Sequence, residues 1–469
     1  MAKKFYITTT APYVNSDPHI GFALEIIQAD VIARYHRLLN ESVVFGFGTD
    51  EHGLKVYRKA LEEKLTPQSY CDRSVIVWNK LKQALNLSYT NFIRTTETRH
   101  IKAAQELWKR CLKNGDIYKK TYKSKYCVGC ELEKTDSELE NGRCPTHPNM
   151  EIELIDEENY FFRFSKYQKP LLEFYEKNPD FVLPQSRFQE IKTFIKSGLQ
   201  DFSLSRLKNK MPWGVPVPND PEQVMYVWFD ALTFYISNLG WPEDKKNFQD
   251  FWPVVQLAGK DNLRQQTAIW QAMLMSAGLP NSKQVFIHGF MTKDGKKISK
   301  SLGNTIDPVE LVAKYGTDAV RYYLLAKIHP FNDSDFTIKD FTTAYNADLA
   351  NGLGNLVSRV AKMAEKDGLA GVKEYEKKIT ISDCLDGYEF NQALIKLWEE
   401  LRSLDLEISR FEPWKKTAED RKEKLIEYAK KILSFSWQLQ IFLPETAKKI
   451  AKIFTGSIIK IDKPLFPRL

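Results

Sequence analysis

A loop at residues 294–304 carries the densest group of side chains that could do chemistry. Its sequence is DGKKISKSLGN, which places Lys296, Lys297 and Lys300 beside Ser299. Ammonium groups on a Gly/Ser loop neutralise polyphosphate oxygens, and a closing loop can stabilise charge that grows during a reaction. A solvated basic loop has the same composition, so both interpretations stay open for the loop alone.

A second candidate is the sequence H-I-G at residues 19–21. Aromatic and β-branched side chains predict a strand over residues 3–10, and apolar side chains at helical spacing predict a helix over residues 22–39. The start of such a helix presents free N–H groups to a phosphate, to which His19 can also donate. Gly21 has no Cβ, so a flat base could lie against the backbone. A histidine at this place is also commonly a helix cap or a packed side chain.

Together these two sequences resemble the paired signatures of class I aminoacyl-tRNA synthetases. The resemblance implies an ATP site formed by His19, Gly21, Lys297, Ser299 and Lys300. His19, Lys297 and Lys300 would be its catalytic residues. Phe22 departs from the family pattern H-I-G-H, because it stands where the family has a second histidine. Losing one such contact costs about 3 kcal/mol of transition-state stabilisation, or roughly a hundredfold in rate.

The sequence T-D-E-H-G follows a predicted strand at residues 43–48. This puts the Asp50 carboxylate at the carboxyl edge of a parallel sheet, where such folds bind ligands. A helix cap at Thr49 or Asp50 is the structural alternative. The segment resembles the corresponding one in methionyl-tRNA synthetases, which implies that Asp50 holds the amino group of the amino acid.

Aromatic residues recur at helical spacing over residues 226–235, a pattern usual in protein cores. The segment resembles the Y-V-W-x-D-A sequence of the same family, where the rings line a pocket for a thioether, and aromatic rings suit a polarizable sulfur. The methionine-binding residues that the resemblance implies are Ala11, Tyr13, Asp50, Trp228, Ala231, Tyr235 and Gln266. Ala11 is smaller than the usual Leu or Ile, and Gln266 replaces a usual His, so both changes bear on substrate selectivity.

Two pairs of metal-ligand residues lie in the segment 117–221, which reads as an insertion. They are Cys127 with Cys130, and Cys144 with His147. This spacing fits one tetrahedral Zn²⁺, and four protein ligands leave no open position, so we expect a structural ion. The site resembles the single zinc knuckle of bacterial-type methionyl-tRNA synthetases. Mg²⁺ is expected to accompany ATP.

The chain is mostly helical in pattern after residue 317, with a helical bundle predicted from 347 to about 453. Asn355 and Arg359 share one helical face, and Trp414 lies at a predicted helix start. A surface polar pair and a core tryptophan would give the same pattern. The resemblance implies instead that these three residues bind the CAU anticodon, with the ring stacking on a flipped-out base.

Composition sets the remaining expectations. A net charge of +8 and a pI near 8.8 suit a polyanionic partner without requiring one. The sequence has no run of 18 apolar residues and no signal-peptide core, so no membrane span is predicted. Six cysteines, three of them at metal-ligand spacing, do not form a disulfide framework, which indicates a reducing cytoplasm.

The resemblance implies an α/β fold of the class I synthetase Rossmann type. A doubly wound parallel sheet is interrupted by the zinc-bearing insertion and followed by an α-helical anticodon-binding bundle. The predicted segments are 1–116 and 222–290 for the catalytic core, 117–221 for the insertion, 291–345 for the lysine loop and linker, and 346–469 for the anticodon domain.

The implied function is methionine–tRNA ligation: ATP-dependent formation of methionyl-adenylate, then transfer to the 3′ end of initiator and elongator methionine tRNA. Related synthetases for valine, isoleucine and leucine need a larger editing insertion than this chain has. Phe22 and Gln266 motivate one alternative, a non-catalytic tRNA-binding paralogue. A zinc-knuckle nucleic-acid binder is a third, which explains only one segment. Since no C-terminal OB-type module follows the bundle, a monomer is expected.

Overall fold

The computed structural model describes residues 3–298 and 304–469. Two of the predicted ATP-binding residues, Ser299 and Lys300, lie outside the described residues. The chain divides into two compact units. The first comprises Met1–Asp17, Ser42–Asn79 and Tyr89–Ile287, and the second comprises Pro18–Glu41, Lys80–Ser88 and His288–Leu469.

The strands of the described residues are β1 Lys4–Thr8, β2 Ser42–Thr49, β3 Asn91–Arg94, β4 Ile117–Cys127, β5 Leu132–Lys134, β6 Ile152–Phe162, β7 Val182–Leu183, β8 Phe202–Ser203, β9 Ser205–Leu207, β10 Pro216–Val217, β11 Asp220–Met225, β12 Val255–Gly259, β13 Gln284–His288, β14 Met291–Lys293, β15 Lys296–Lys297 and β16 Ser334–Phe336.

The α-helices are α1 Ile20–Leu38, α2 Leu54–Glu62, α3 Pro67–Ala84, α4 Thr98–Lys113, α5 Gln168–Lys177, α6 Gln185–Lys196, α7 Val227–Ser237, α8 Lys245–Phe251, α9 Trp270–Ser276, α10 Pro308–Tyr315, α11 Thr317–Ala326, α12 Ile338–Ala344, α13 Asn355–Lys366, α14 Ser382–Asp386, α15 Phe390–Phe411, α16 Ala418–Leu439 and α17 Pro444–Thr455. No helix of the described ranges is long and apolar enough to cross a membrane.

The first unit is built on a six-stranded sheet of order β3-β2-β1-β12-β13-β7. β1 pairs in parallel with both β2 and β12, and β2 pairs in parallel with β3. The chain therefore adds strands on one side of β1 and later returns to its other side. This reversal at β1 and β12 is the topological switch point of a doubly wound fold, where the carboxyl ends of strands form a ligand crevice. The predicted parallel α/β sheet is confirmed.

Burial distinguishes β2, an inner strand of this sheet, from its neighbour β3 at the edge. Six consecutive residues of β2 are buried, which suits a strand covered on both faces. Gly48 is required there, because a Cβ at that position would lie 2.0 Å from the carbonyl oxygen of Ile93 on β3. Close pairing of β2 and β3 thus fixes the exit of β2, immediately before Asp50.

The insertion region of the first unit carries a separate antiparallel sheet of order β5-β4-β6-β8. β4 and β6 pair over their full length, from Ile117 opposite Phe162 to Cys127 opposite Ile152. A ladder of this length holds the end of β4 firmly. The segment carrying the predicted metal ligands begins at that end.

The second unit is mainly helical and contains a buried ion pair. Arg321 of α11 lies 2.9 Å from the Asp30 carboxylate of α1, and neither side chain is exposed. The same guanidinium donates to the carbonyl oxygens of Leu85 and Phe442. These contacts join four parts of the sequence, and the opposite charge of Arg321 and Arg34 lowers the pKa of Asp30 despite its burial.

Two predicted α-helical segments are partly π-helical. The residues Gln265–Ile269 form a π-helix before α9, and Tyr345–Gly354 form another before α13. In the first, the backbone N–H of Trp270 bonds back five residues to Gln265. Hydrophobic spacing predicts a helix at such places but cannot distinguish this wider turn from an α-helix.

Candidate active site and metal cluster

Asp50 is held beside Tyr13 at the carboxyl ends of β1 and β2. The two residues form a parallel β-bridge. The backbone N–H of Asp50 donates to the Pro12 carbonyl at 2.9 Å, and the Val14 N–H donates to the Asp50 carbonyl at 3.1 Å. These backbone bonds extend the pairing of β1 with β2 into the loops. They bring together two of the residues that the resemblance implies for methionine binding, Tyr13 and Asp50.

The Asp50 carboxylate is buried and lacks a hydrogen-bond partner at Oδ1 among the described residues. Burial raises the pKa of Asp50 well above its usual range, and the carboxylates of Asp230 and Glu131 raise that pKa further. A buried carboxylate in this setting gains most from a cation. The arrangement therefore suits the ammonium group of an amino acid.

The residue after Asp50 fixes this loop. The Glu51 carboxylate is fully buried, and Arg94 at the end of β3 donates to both of its oxygens at 2.7 and 2.9 Å. Thr49 and Thr96 each donate to it at 2.6 Å. A bidentate pair with added hydroxyl donors leaves little rotational freedom, so the backbone on which Asp50 sits is held from its C-terminal side.

Sequence reasoning missed Asp230, which joins this loop to α7. Its Oδ2 lies 2.6 Å from His52 Nδ1, and its Oδ1 lies 2.7 Å from His100 Nε2. Although burial acts in the opposite direction, the two imidazoles lower the pKa of Asp230 to about 2. The available signal was an acidic residue two positions after Trp228, together with a histidine two positions after Asp50.

The predicted thioether-binding residues lie along α7 and near it. Tyr235 is buried against Trp270, with ring centroids 5.7 Å apart, and Ala231 is buried one turn earlier. Trp228 and Ala11 are partly buried against the same hydrophobic cluster. The indole N–H of Trp228 is buried without a hydrogen-bond partner in the described part of the chain.

Gln266 lies in the π-helical turn rather than in a regular α-helix. It is buried, and its Oε1 accepts from Gln256 Nε2 at 2.9 Å. Gln256 belongs to β12, beside the switch point of the sheet. This buried amide pair places polar groups next to the predominantly apolar cluster.

The four predicted metal ligands come together in the first unit. One ligand atom from each of Cys127, Cys130, Cys144 and His147 can be chosen so that all four lie within 4.8 Å of one another. The Cys130 and Cys144 sulfurs are 3.5 Å apart, and the Cys130 sulfur lies 3.2 Å from His147 Nδ1. We call these four residues the metal cluster, and they could bind a metal ion.

Local geometry supports a shared ion at the metal cluster. The Cys130 backbone N–H donates to the Cys127 sulfur, as in a tight turn whose two thiolates face one point. A Cβ at Gly129 would lie 2.4 Å from the His147 ring, so the turn closes on the imidazole only because this residue is glycine. Thiolate and imidazole ligands in a tetrahedral set suit zinc.

The phosphate-binding candidates among the described residues, His19, Gly21 and Lys297, lie in the second unit. His19 caps α1 by accepting the Gly21 N–H at Nδ1 (3.1 Å). The N–H of Ile20 donates to the Ile306 carbonyl, so the prediction of free N–H groups was wrong for both of these positions. A Cβ at Gly21 would lie 3.1 Å from the His19 ring, so its small size serves this cap. Lys297 forms part of β15, and only its backbone is described.

The predicted anticodon residues lie around α13 and the turn after α15. Asn355 and Arg359 occupy one face of α13, and the Arg359 guanidinium lies 5.8 Å from the Trp414 ring centroid. Trp414 is 48% exposed. It lies in a short 3-10 turn, Pro413–Lys415, before α16. Arg359 also pairs with Asp405.

Comparison with known proteins identifies the family. The profile of the family described as tRNA synthetases class I (M) matches residues 5–152 and 146–361. The methionine–tRNA ligase of Thermosynechococcus vestitus is 50% identical over 372 residues, which cover 78% of this chain and 70% of the relative. The chain belongs to the methionine–tRNA ligase family.

Members of the methionine–tRNA ligase family also match this chain over nearly its whole length. The Rickettsia prowazekii enzyme is 39% identical, covering 96% of this chain and 92% of the relative. The structure of Mycobacterium tuberculosis methionyl-tRNA synthetase in complex with methionyl-adenylate superimposes with a TM-score of 0.92 and 34% identity, covering 99% of this chain and 100% of that one. These relatives do not support the alternative of a non-catalytic tRNA-binding paralogue.

Proposed function

We propose that this chain is a methionine–tRNA ligase that forms methionyl-adenylate from L-methionine and ATP and transfers the methionyl group to methionine tRNA. The observation that carries the proposal is the buried Asp50 carboxylate beside Tyr13, at the switch point of a parallel sheet, in a chain of this family. The carboxylate would pair with the ammonium group of methionine and fix its orientation.

The thioether side chain of methionine would lie against Trp228, Ala231 and Tyr235. Aromatic rings and a small alanine form an apolar surface that a polarizable, flexible sulfur chain can fill. Ala11 and Gln266 would complete the pocket, one by leaving space and the other by placing an amide near the apolar cluster. Tyr13 would bound the pocket on the side of Asp50.

The reaction needs no protein nucleophile. With its ammonium group held by Asp50, the methionine carboxylate attacks the α-phosphate of ATP in line, and pyrophosphate leaves. Catalysis then consists of orienting the reactants and stabilising the charge on the phosphates. The adenylate bound by the M. tuberculosis relative supports this intermediate.

We assign the phosphate contacts to His19, Lys297 and Lys300, with Gly21 and Ser299 completing the ATP site. Because His19 accepts a hydrogen bond at Nδ1, the neutral imidazole carries its proton on Nε2, which makes that nitrogen a donor suited to a phosphate oxygen. The lysine ammoniums would neutralise the leaving pyrophosphate. Mg²⁺ would accompany ATP and would supply positive charge that stabilises the phosphates.

Zinc is the ion we assign to the metal cluster. Bound by three thiolates and one imidazole, it would have no open coordination position and would supply structural cross-linking rather than Lewis-acid chemistry. The four ligand residues would hold the end of β4 and the turn that follows it. Cysteines that serve as thiolate ligands also favour a reducing compartment, and we propose the cytoplasm.

The helical part of the chain would recognise tRNA through its anticodon. The half-exposed Trp414 offers a face for stacking on an unpaired base, and Asn355 and Arg359 offer donors for base edges. We retain segment 346–469 as the anticodon domain and 117–221 as the insertion between catalytic segments 1–116 and 222–290, joined through 291–345. We propose a monomer, as the sequence analysis expects.

Charging of tRNA tests this function. Purified protein, ATP, Mg²⁺ and labelled methionine should produce acid-precipitable methionyl-tRNA from transcripts of both initiator and elongator methionine tRNA. A transcript with the CAU anticodon changed is the matched control and should be charged far more slowly. Equal charging of both transcripts would contradict the anticodon assignment, and no charging of either would contradict the function.

A further inference from the structure

Glu131 follows the metal ligand Cys130 directly, and its side chain contacts residues outside the metal cluster. It is buried, and its Oε1 accepts the Tyr13 hydroxyl at 2.9 Å. The same oxygen accepts the backbone N–H of Lys55 at 3.3 Å. One carboxylate oxygen thus contacts both the residue beside Asp50 and the first turn of α2.

The backbone of Glu131 is held as firmly as its side chain. Its φ of +51° lies in the left-handed region. A residue with a Cβ adopts this backbone conformation at a cost in free energy and keeps it only where surrounding contacts fix it. The Tyr226 hydroxyl donates to the Glu131 carbonyl. Tyr226 is the residue that precedes α7, the helix of Trp228 and Tyr235.

Apolar packing reinforces the same junction. Tyr126 and Val128, on either side of the ligand Cys127, form a small buried cluster with Leu54 of α2. Gly53 leaves no room for a shift, because a Cβ there would lie 2.4 Å from the Tyr13 hydroxyl and 3.1 Å from the Glu131 carboxylate. The turn that carries two metal ligands is therefore packed against the segment that carries Asp50.

We propose that Glu131 is a positioning residue for methionine, because it holds the Tyr13 hydroxyl and so transmits metal occupancy of the cluster to the methionine pocket. With the metal bound, the turn after Cys130 has one geometry, and the carboxylate keeps Tyr13 beside Asp50. Without the metal, the Glu131 carboxylate that accepts the Tyr13 hydroxyl is no longer held in place. The inference rests on the proposed methionine-binding function.

Methionine dissociation constants measured by calorimetry test the proposal without any turnover. The metal-loaded full chain should bind methionine, and Glu131→Ala should weaken binding about tenfold, as expected when a charge-assisted hydrogen bond is lost. Glu131→Gln keeps an acceptor oxygen and should bind within about twofold of the unaltered chain. Glu140→Ala removes an exposed carboxylate between the two ligand pairs and should change nothing.

Tyr13→Phe removes the hydroxyl without altering the metal-binding turn. It should weaken methionine binding to the same extent as Glu131→Ala, and the double variant should bind no more weakly than either single one, because both act through one contact. Metal removal with a chelator should weaken binding in the unaltered chain but add little in Tyr13→Phe. Metal content and circular dichroism are recorded for each protein.

Three results would overturn the proposal. They are full methionine affinity in Tyr13→Phe, multiplied losses in the double variant, and equal metal sensitivity with and without the hydroxyl. The methionine affinity of Tyr13→Phe, measured with and without the metal, tests the proposal even if Glu131→Ala does not fold. Absence of methionine binding by the unaltered, metal-loaded chain would instead contradict the proposed function.

Discussion

Asp50 is the buried carboxylate that we propose binds the ammonium group of methionine. A carboxylate in such a buried position is destabilised relative to water unless a cation or hydrogen-bond donors compensate. Here Oδ1 has no partner in the described ranges, and the nearby carboxylates of Asp230 and Glu131 add to the rise in its pKa. In the proposed function, the ammonium group of methionine supplies the missing charge.

Replacing Asp50 with asparagine should weaken methionine binding by about 10- to 100-fold, because the variant keeps the shape but loses a charge-assisted hydrogen bond. Calorimetry on the purified proteins measures the change. Asp250→Asn is the control, since Asp250 is an exposed partner of Lys4 and should leave binding unaltered. An Asp50→Asn variant with unaltered methionine affinity would exclude the assigned role.

Methionine binding should also depend on pH through the same carboxyl group. The pKa of Asp50 is raised, so the group takes up a proton at a higher pH than an ordinary aspartate does. A protonated carboxyl cannot pair with an ammonium, and affinity should therefore rise with pH as Asp50 ionises and fall as pH decreases. Dissociation constants measured across a pH series should show this slope in the unaltered chain, and Asp50→Asn should lack it.

At the scale of single residues, motifs predict ligands better than they predict the groups that hold them. Asp50 and the four metal ligands follow from short sequences with fixed spacing. Asp230 and Glu131 do not, because their contacts join positions far apart in the chain: His52 and Asp230 are separated by 178 residues, and Tyr13 and Glu131 by 118. Only the folded sheet brings these pairs together.

Elements of secondary structure position the site through a few buried polar contacts. β1 and β2 end side by side and present Tyr13 and Asp50, while Asp230 in the first turn of α7 ties this edge to His52 and His100. A helix N-terminus favours a negative charge in that turn, in addition to the two imidazoles. These contacts would keep the proposed thioether pocket and the proposed ammonium site at a fixed spacing.

Asp230→Asn should lower the free energy of unfolding by about 3 kcal/mol, because it removes the charge from a buried, hydrogen-bonded cluster. Since the pKa of Asp230 is lowered to about 2, its contribution is present at neutral pH and is lost only as the pH falls towards 2. Urea titration at neutral pH measures the change. Glu243→Gln, which breaks the exposed pair with Lys102, should cost at most about 1 kcal/mol. Equal stability of the two variants would contradict the role of Asp230.

Element types were predictable where one periodicity dominates and were missed where geometry is irregular. The β-branched runs gave β1 and β2, and apolar spacing gave α1 and α7. The π-helical turns at Gln265–Ile269 and Tyr345–Gly354 have no distinct hydrophobic pattern, since one extra residue per turn changes hydrogen bonding more than composition. The first of them carries Gln266, the predicted pocket residue.

At the scale of the whole molecule, sequence order and fold agree. The parallel sheet of the first unit is interrupted by an antiparallel sheet that bears the metal cluster, and the helices that carry Arg359 and Trp414 lie in the second unit. Phe22 departs from the family pattern, because it lies in α1 at the position where the family signature has a histidine. Its effect on the reaction separates a slowed enzyme from a non-catalytic paralogue.

Amino-acid-dependent exchange of pyrophosphate into ATP tests the central claim most directly, because it reports adenylate formation without tRNA. The unaltered protein should support exchange with methionine and with no other standard amino acid, and Phe22→His should exchange faster, by up to roughly a hundredfold if the added imidazole restores one phosphate contact. No exchange with any amino acid, in a protein that holds its metal and binds tRNA, would contradict the assignment and favour the paralogue.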